Sequence, residues 1–133
     1  MPYLLDTDTV SAVLRRNPDI ALLRRLATEP QTDIFTSSIT VGELIYGAVL
    51  KRARNLDQRI ETLLATIPVV SFDQAAAYSY GTTRAKLQRA GRTLNDPDLR
   101  IASIALAHDL TLVSGNARHF RQVPGLRLEN WLA

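Results

Sequence analysis

The chain has no cysteine, which excludes disulfides, thiolate metal sites and a cysteine nucleophile. It has only two histidines, His108 and His119, too few for an imidazole-based zinc centre. Its two lysines, Lys51 and Lys86, follow no glycine-rich turn, so there is no phosphate-cradling Walker loop. No apolar run reaches the roughly 18 residues that cross a bilayer, and no membrane association is expected. The opening MPYLLDTDTV has no basic segment followed by an apolar stretch, so a secretory signal is not expected and a cytoplasmic location is. Aromatic residues make up 6% of the chain, and the three phenylalanines are too scattered for a base-stacking platform.

What remains is an ordinary globular composition, 46% hydrophobic and 22% charged over 133 residues. That length suggests one domain, residues 1–133, able to bury a core without covalent staples. The net charge is +3 and the pI about 9.7. Sixteen basic residues less two lysines leaves fourteen arginines. Arginine's planar fork suits phosphate and carboxylate, although GC-rich coding yields the same bias, and composition leaves both open.

The hydrophobic pattern alternates between strand and helix. Short apolar runs predict strands at YLL (3–5), DIFTSS (33–38), VVSF (69–72) and TLVS (111–114), with a possible fifth in LRLENW (126–131). Between them, Val10, Val13 and Leu14, then Leu23 and Leu26, then Val41, Leu44, Ile45 and Ala48 recur at helical spacing. Asp73 opens a long alanine-rich helix ending near Gly91, and Asp96-Pro97 starts the next. Strands alternating with helices imply a mostly parallel sheet of four to five strands between two helical layers, a three-layer α/β/α sandwich.

That architecture gathers distant acids. In right-handed βαβ units, strand C-termini and the N-termini of the following helices share one edge of the sheet. Asp6 ends the first strand, Glu43 is expected in the first turn after the second, Asp96 and Asp98 begin the helix before the fourth, and Asn116 follows it. All five are expected on one rim. Each acid alone has a structural role available: Asp6 and Asp96 as helix caps, Glu43 in a capping box with Thr40, and Asp98 beside a helix dipole. Collectively they conflict. Like charges about 5 Å apart at an effective dielectric near 20 repel by roughly 3 kcal/mol per pair. A helix dipole returns only about 0.3–1 kcal/mol. Such a cluster calls for a cation or shared protons, and an all-oxygen donor set suits Mg²⁺ or Mn²⁺. Carboxylate-held divalent ions in a basic chain point to phosphate chemistry.

The blocks YLLDTDTVS, SSITVGELIYG and DPDLRIASIALAHDLTLVSGNARHF, in this order and spacing, resemble the PIN-domain family, specifically its VapC-type toxins. The resemblance covers essentially the whole chain. It implies a Mg²⁺- or Mn²⁺-dependent endoribonuclease that cleaves a structured RNA, transfer or ribosomal, by a metal-activated water. It further implies a VapB-like antitoxin and a homodimer. Matched residue by residue, the family's acids fall on Asp6, Glu43 and Asp98, as metal ligands and catalytic groups, and its fourth polar position on Asn116. Thr7 and Thr40 match as supporting residues. Asp8 stands where many relatives carry asparagine, and Asp96 is an additional acid, a cap or a second support for the site. Arg15, Arg16, Arg84, Arg92 and Arg118 are candidates for the RNA backbone. Two other readings stay open: a catalytically inactive PIN-like module that binds RNA or a partner, and a Mg²⁺-binding response receiver built on Asp73. The second lacks the lysine such domains place after a late strand.

Overall fold

The computed structural model describes residues 2–52 and 55–132. The elements run β1 (Tyr3–Leu5), α1 (Thr7–Leu14), α2 (Ile20–Thr28), a 3-10 turn (Gln31–Asp33), β2 (Ile34–Ser37), α3 (Ser38–Lys51) and α4 (Leu56–Leu64). They continue with β3 (Val69–Val70), α5 (Gln74–Arg89), α6 (Asp96–Ala107), β4 (Thr111–Val113), α7 (Ala117–Phe120) and β5 (Leu128–Glu129). The five strands form one sheet in the order β3-β2-β1-β4-β5, and every pairing is parallel. The expected fifth strand is therefore present. Among the described residues no helix is long and apolar enough to cross a membrane.

β1 is the centre of the molecule. Leu5 lies in register with Thr36 on one side and Val113 on the other. Successive side chains of a strand point to opposite faces, and three residues suffice to bind both layers. Tyr3 and Leu5 join Val10, Leu22, Leu44 and Ile60 in one core, beneath α1–α4. Leu4 joins Ile101, Ile104, Leu112 and Phe120 in the other, beneath α6 and α7, with Ala76 of α5. Leu4 and Leu5 are both 0% exposed, so the strand is apolar throughout, as a doubly covered strand requires.

Side-chain caps set where the helices begin, and some differ from the sequence expectation. Asp6 caps α1 as expected, its Oδ1 accepting from the Thr9 amide at 2.8 Å. For α3 the cap is Ser37, whose Oγ accepts from the Thr40 amide at 3.0 Å, so Thr40 is not the capping residue. The helix therefore starts at Ser38 and Glu43 falls in its second turn, not its first. For α6 the cap is Asn95, not Asp96, its Oδ1 accepting from the Asp98 amide at 2.9 Å. Pro97 moves to the second helical position, where a missing donor is equally harmless because none of the first four amides has an intrahelical acceptor. The long helix α5 is capped by Asp73 and ends through Gly91, whose φ of +69° suits a residue without Cβ. His108, expected inside an apolar helix, is the C-cap of α6, and its Nε2 lies 2.8 Å from Asp73 Oδ2.

Candidate active site

Parallel pairing of β2, β1 and β4 brings Leu5, Ser37 and Val113 to one edge of the sheet. The loops and helices leaving these three strand ends, with the start of α6, build the site. Asp6, Thr7, Asp8, Glu43, Asn95, Pro97, Asp98 and Asn116 line a cleft of about 410 Å³ on that edge. Asp6 is almost wholly buried, 3% exposed. Burial pushes its carboxyl above the usual carboxylate range and the charge of Asp8 adds to the rise, while hydrogen bonds from Ser114 and Thr9 oppose it. Asp98 is half-buried and is also raised, first by burial and then by Asp8; hydrogen bonds from Asn95 and Asn116 and the nearby His119 act in the other direction. Asn95 Nδ2 donates to Asp98 Oδ2 at 2.8 Å. One residue thus caps the helix and holds the carboxylate beside the cap.

Glu43 reaches the cleft from α3 through a neighbour. Thr7 Oγ1 donates to Glu43 Oε1 at 2.5 Å and lies 3.1 Å from Thr40 Oγ1, which accepts in turn from Ser37 Oγ at 3.2 Å. The buried Thr40 therefore stands behind Thr7 and not in the cleft. Asn116 accepts from His119 Nδ1 at 2.5 Å, and its side chain lies close enough to Asp98 to favour the ionised carboxylate. An amide oxygen cannot donate, so His119 carries its proton on Nδ1 in this arrangement.

Asp96 is not with the others. Two residues on an α-helix are separated by about 200° of rotation, so Asp96 and Asp98 cannot face the same cleft. Asp96 points to α5, where it accepts from the Tyr80 hydroxyl and from Arg100 Nε, the latter at 2.7 Å. The hydrogen bonds from Tyr80 and Arg100 hold its carboxyl below the ordinary range. The Asp73 of the response-receiver reading is committed to capping α5 and to His108. Sequence reasoning misses Asn95, Ser37 and Ser114. Asn95 is detectable in principle, since asparagine is among the strongest helix caps, but it stands beside two aspartates that compete for the role.

The donor set, all oxygen, fits a hard divalent ion. Among the described residues no three Asp, Glu or His side chains are gathered tightly enough to cage an ion as they stand. Glu43 is turned to Thr7. Mg²⁺ does not need a protein cage: it commonly takes one or two carboxylates and completes its shell with water and substrate phosphate. Asp6 and Asp98 are the suitable pair, because burial disfavours their ionised forms and a bound cation would offset that cost.

This fold and cleft define a class. The chain belongs to the PIN-domain family, whose model matches residues 3–126. Full-length relatives place it among that family's VapC ribonucleases. It is 31% identical to Ribonuclease VapC2 of Rickettsia felis over 132 residues, covering 98% of each chain. It is 37% identical to the tRNA(fMet)-specific endonuclease VapC of Shigella flexneri over 133 residues, again 98% of each. The fold superposes on DNA-bound VapBC from Salmonella typhimurium with a TM-score of 0.88, at 30% identity and 98% coverage of both chains.

Proposed function

We propose that this chain is the endoribonuclease toxin of a toxin–antitoxin module, acting in the cytoplasm on a structured RNA and neutralised by a VapB-like antitoxin. The observation that carries the reading is the meeting of Asp6, Asp8, Glu43, Asp98 and Asn116 in one cleft from four separate parts of the chain. The name of the Shigella relative specifies a transfer RNA, which favours transfer RNA over ribosomal RNA as the substrate class.

Asp6 and Asp98 would hold Mg²⁺ or Mn²⁺, with Glu43 as a further ligand or as the group that orients the attacking water. The ion would supply Lewis-acid charge, lowering the pKa of water and offsetting charge on the phosphate. The chain's own contribution is positioning. Asp6 is fixed by the Thr9 amide, with Ser114 nearby, and Asp98 is fixed by Asn95, with Asn116 nearby. Glu43 is restrained by Thr7. Water attacks phosphorus in line and the bond to the 3′ oxygen breaks, leaving a 5′-phosphate and a 3′-hydroxyl. No ribose 2′-hydroxyl takes part.

Partner surfaces adjoin the cleft. A groove of about 400 Å³ between α1, α3 and α4 shares Thr7 and Glu43 with it. An antitoxin segment seated there reaches the acids with a basic side chain. On α3, Tyr46, Val49 and Leu50 are exposed apolar residues, which supports pairing with a second copy.

The test is RNA cleavage by purified protein with Mg²⁺ or Mn²⁺ and with chelator, beside Asp98→Asn. Cleavage that requires both the ion and Asp98, and leaves 5′-phosphate ends, supports the reading. A 2′,3′-cyclic phosphate product counts against it. Metal-independent cleavage, or cleavage indifferent to Asp98, removes it.

A further inference from the structure

A second cleft, of about 280 Å³, lies between the C-terminal half of α5 and the segment that leads into α6. Its floor includes Leu87 and Leu99, and its walls carry Arg84, Gln88, Arg92 and Thr93. The composition is that of a nucleotide site: apolar surface for a base or ribose, guanidinium groups for phosphate, and an amide and a hydroxyl for hydrogen bonds.

Their partners separate these two arginines from the other bases nearby. Lys86 and Arg89 occupy the last turn of α5, where they offset the helix dipole. Arg100 is neutralised by Asp96, with Nε at 2.7 Å. Arg84 instead touches the Tyr80 hydroxyl at 3.1 Å, with its guanidinium 5.9 Å from the ring centre. Among the described residues Arg92 has no side-chain hydrogen bond or ion pair. The one acid among the residues lining this cleft, Asp96, is already bound by Arg100 and Tyr80. Neither guanidinium forms an ion pair with a described residue, although the charge of Arg84 also acts on Asp96, so both can meet an anionic ligand.

The cleft is also connected to the acids. The acid-lined cleft and a shallow hollow beside it share Glu43 and Pro97, and that hollow shares Asp96 with the second cleft. The three hollows are neighbours along the start of α6, adjoining at Pro97 and at Asp96. We propose that this second cleft is an RNA subsite, in which Arg84 and Arg92 bind the backbone of a nucleotide flanking the scissile phosphate while Leu87 and Leu99 support its base or ribose. The inference rests on the nuclease reading above and assigns it a route for the strand. Arg84 and Arg92 are binding residues, remote from the reacting atoms.

The test is binding of a fluorescein-labelled transfer RNA transcript by anisotropy, in an Asp98→Asn background that prevents cleavage. Arg92→Ala, Arg84→Ala and the double variant are compared with Arg24→Ala, a loss of the same charge on α2. The double variant is expected to weaken binding about tenfold or more at 0.1 M salt, and to reduce the slope of log affinity against log salt by about 1–2. Arg92→Ala loses no side-chain hydrogen bond or ion pair within the described fold, and an unchanged melting temperature checks that its effect is on binding. In the cleaving background KM should rise by the larger factor and kcat change little. Affinity and salt slope equal to those of Arg24→Ala overturn the subsite. If wild-type protein does not cleave with either ion, the nuclease reading fails instead, and the binding comparison still reports on the cleft. Equal binding of a polyglutamate peptide, competing with the RNA at matched charge, would reassign the cleft to an acidic protein segment and overturn the proposal.

Discussion

At the residue scale, three aspartates with one formal charge have three environments. Asp6 is buried at a helix cap, Asp98 half-buried and held by the Asn95 amide, and Asp96 tied to a tyrosine and an arginine. Asp98→Asn should reduce cleavage about a hundredfold or more, the usual scale for losing a group that stabilises transition-state charge. It should also protect the metal-free fold. Burial raises the Asp98 carboxyl above the ordinary carboxylate range, so the folded chain protonates it more readily than the unfolded chain does. Its contribution to stability is therefore present below the ordinary range and lost as pH rises through the raised value. In chelator, the melting temperature of wild type should fall relative to Asp98→Asn as pH is taken upward from about 4. Mn²⁺ should raise the melting temperature of wild type and not of the variant. A variant less stable than wild type at pH 7 in chelator would contradict this. Asp96→Asn should behave differently: it loses a half-exposed ion pair with Arg100, contributing about 0–1 kcal/mol, and cleavage should stay within a few-fold of wild type.

At the element scale, the site depends on helix starts. The first turn of α6 holds Asp98 because Asn95 accepts from its amide and donates to its carboxylate. Asn95→Ala should cost about 1 kcal/mol in urea unfolding, as for other lost caps. It should lower cleavage as well, whereas Asn95→Asp should restore stability better than activity, since it caps α6 but repels Asp98. Equal recovery of both would mean that Asn95 serves the helix alone. Helix starts also mark how far the sequence is legible. Strand and helix positions follow from periodicity, since the apolar residues of β1, α3 and α6 face cores that demand them. The caps of α3 and α6 lie three residues and one residue earlier than expected, because nearby Ser, Thr, Asn and Asp all cap well. The choice among them depends on which one the preceding segment leaves in extended conformation, as Ser37 and Asn95 are.

At the scale of the whole molecule, β1 couples the two cores. Leu4→Ala removes a fully buried side chain between β2 and β4 and should cost about 2–5 kcal/mol. Both helical layers pack on the same three residues, so unfolding by far-UV circular dichroism and by the fluorescence of Trp131, which packs on Tyr3, should remain coincident. Separate transitions would show that the layers are independent. Alternation of strand and helix in the sequence was enough to determine a parallel sheet and to bring Asp6, Glu43, Asp98 and Asn116 to one rim, because right-handed crossovers leave no other placement. Only the tertiary structure decided what each group touches. Thr7 reaches Glu43 across 36 positions of sequence, and Asp96 turns from the cleft to Tyr80 and Arg100. Those partnerships depend on ångström-scale packing of α1 against α3 and of α5 against α6, which the hydrophobic pattern of any single helix does not specify.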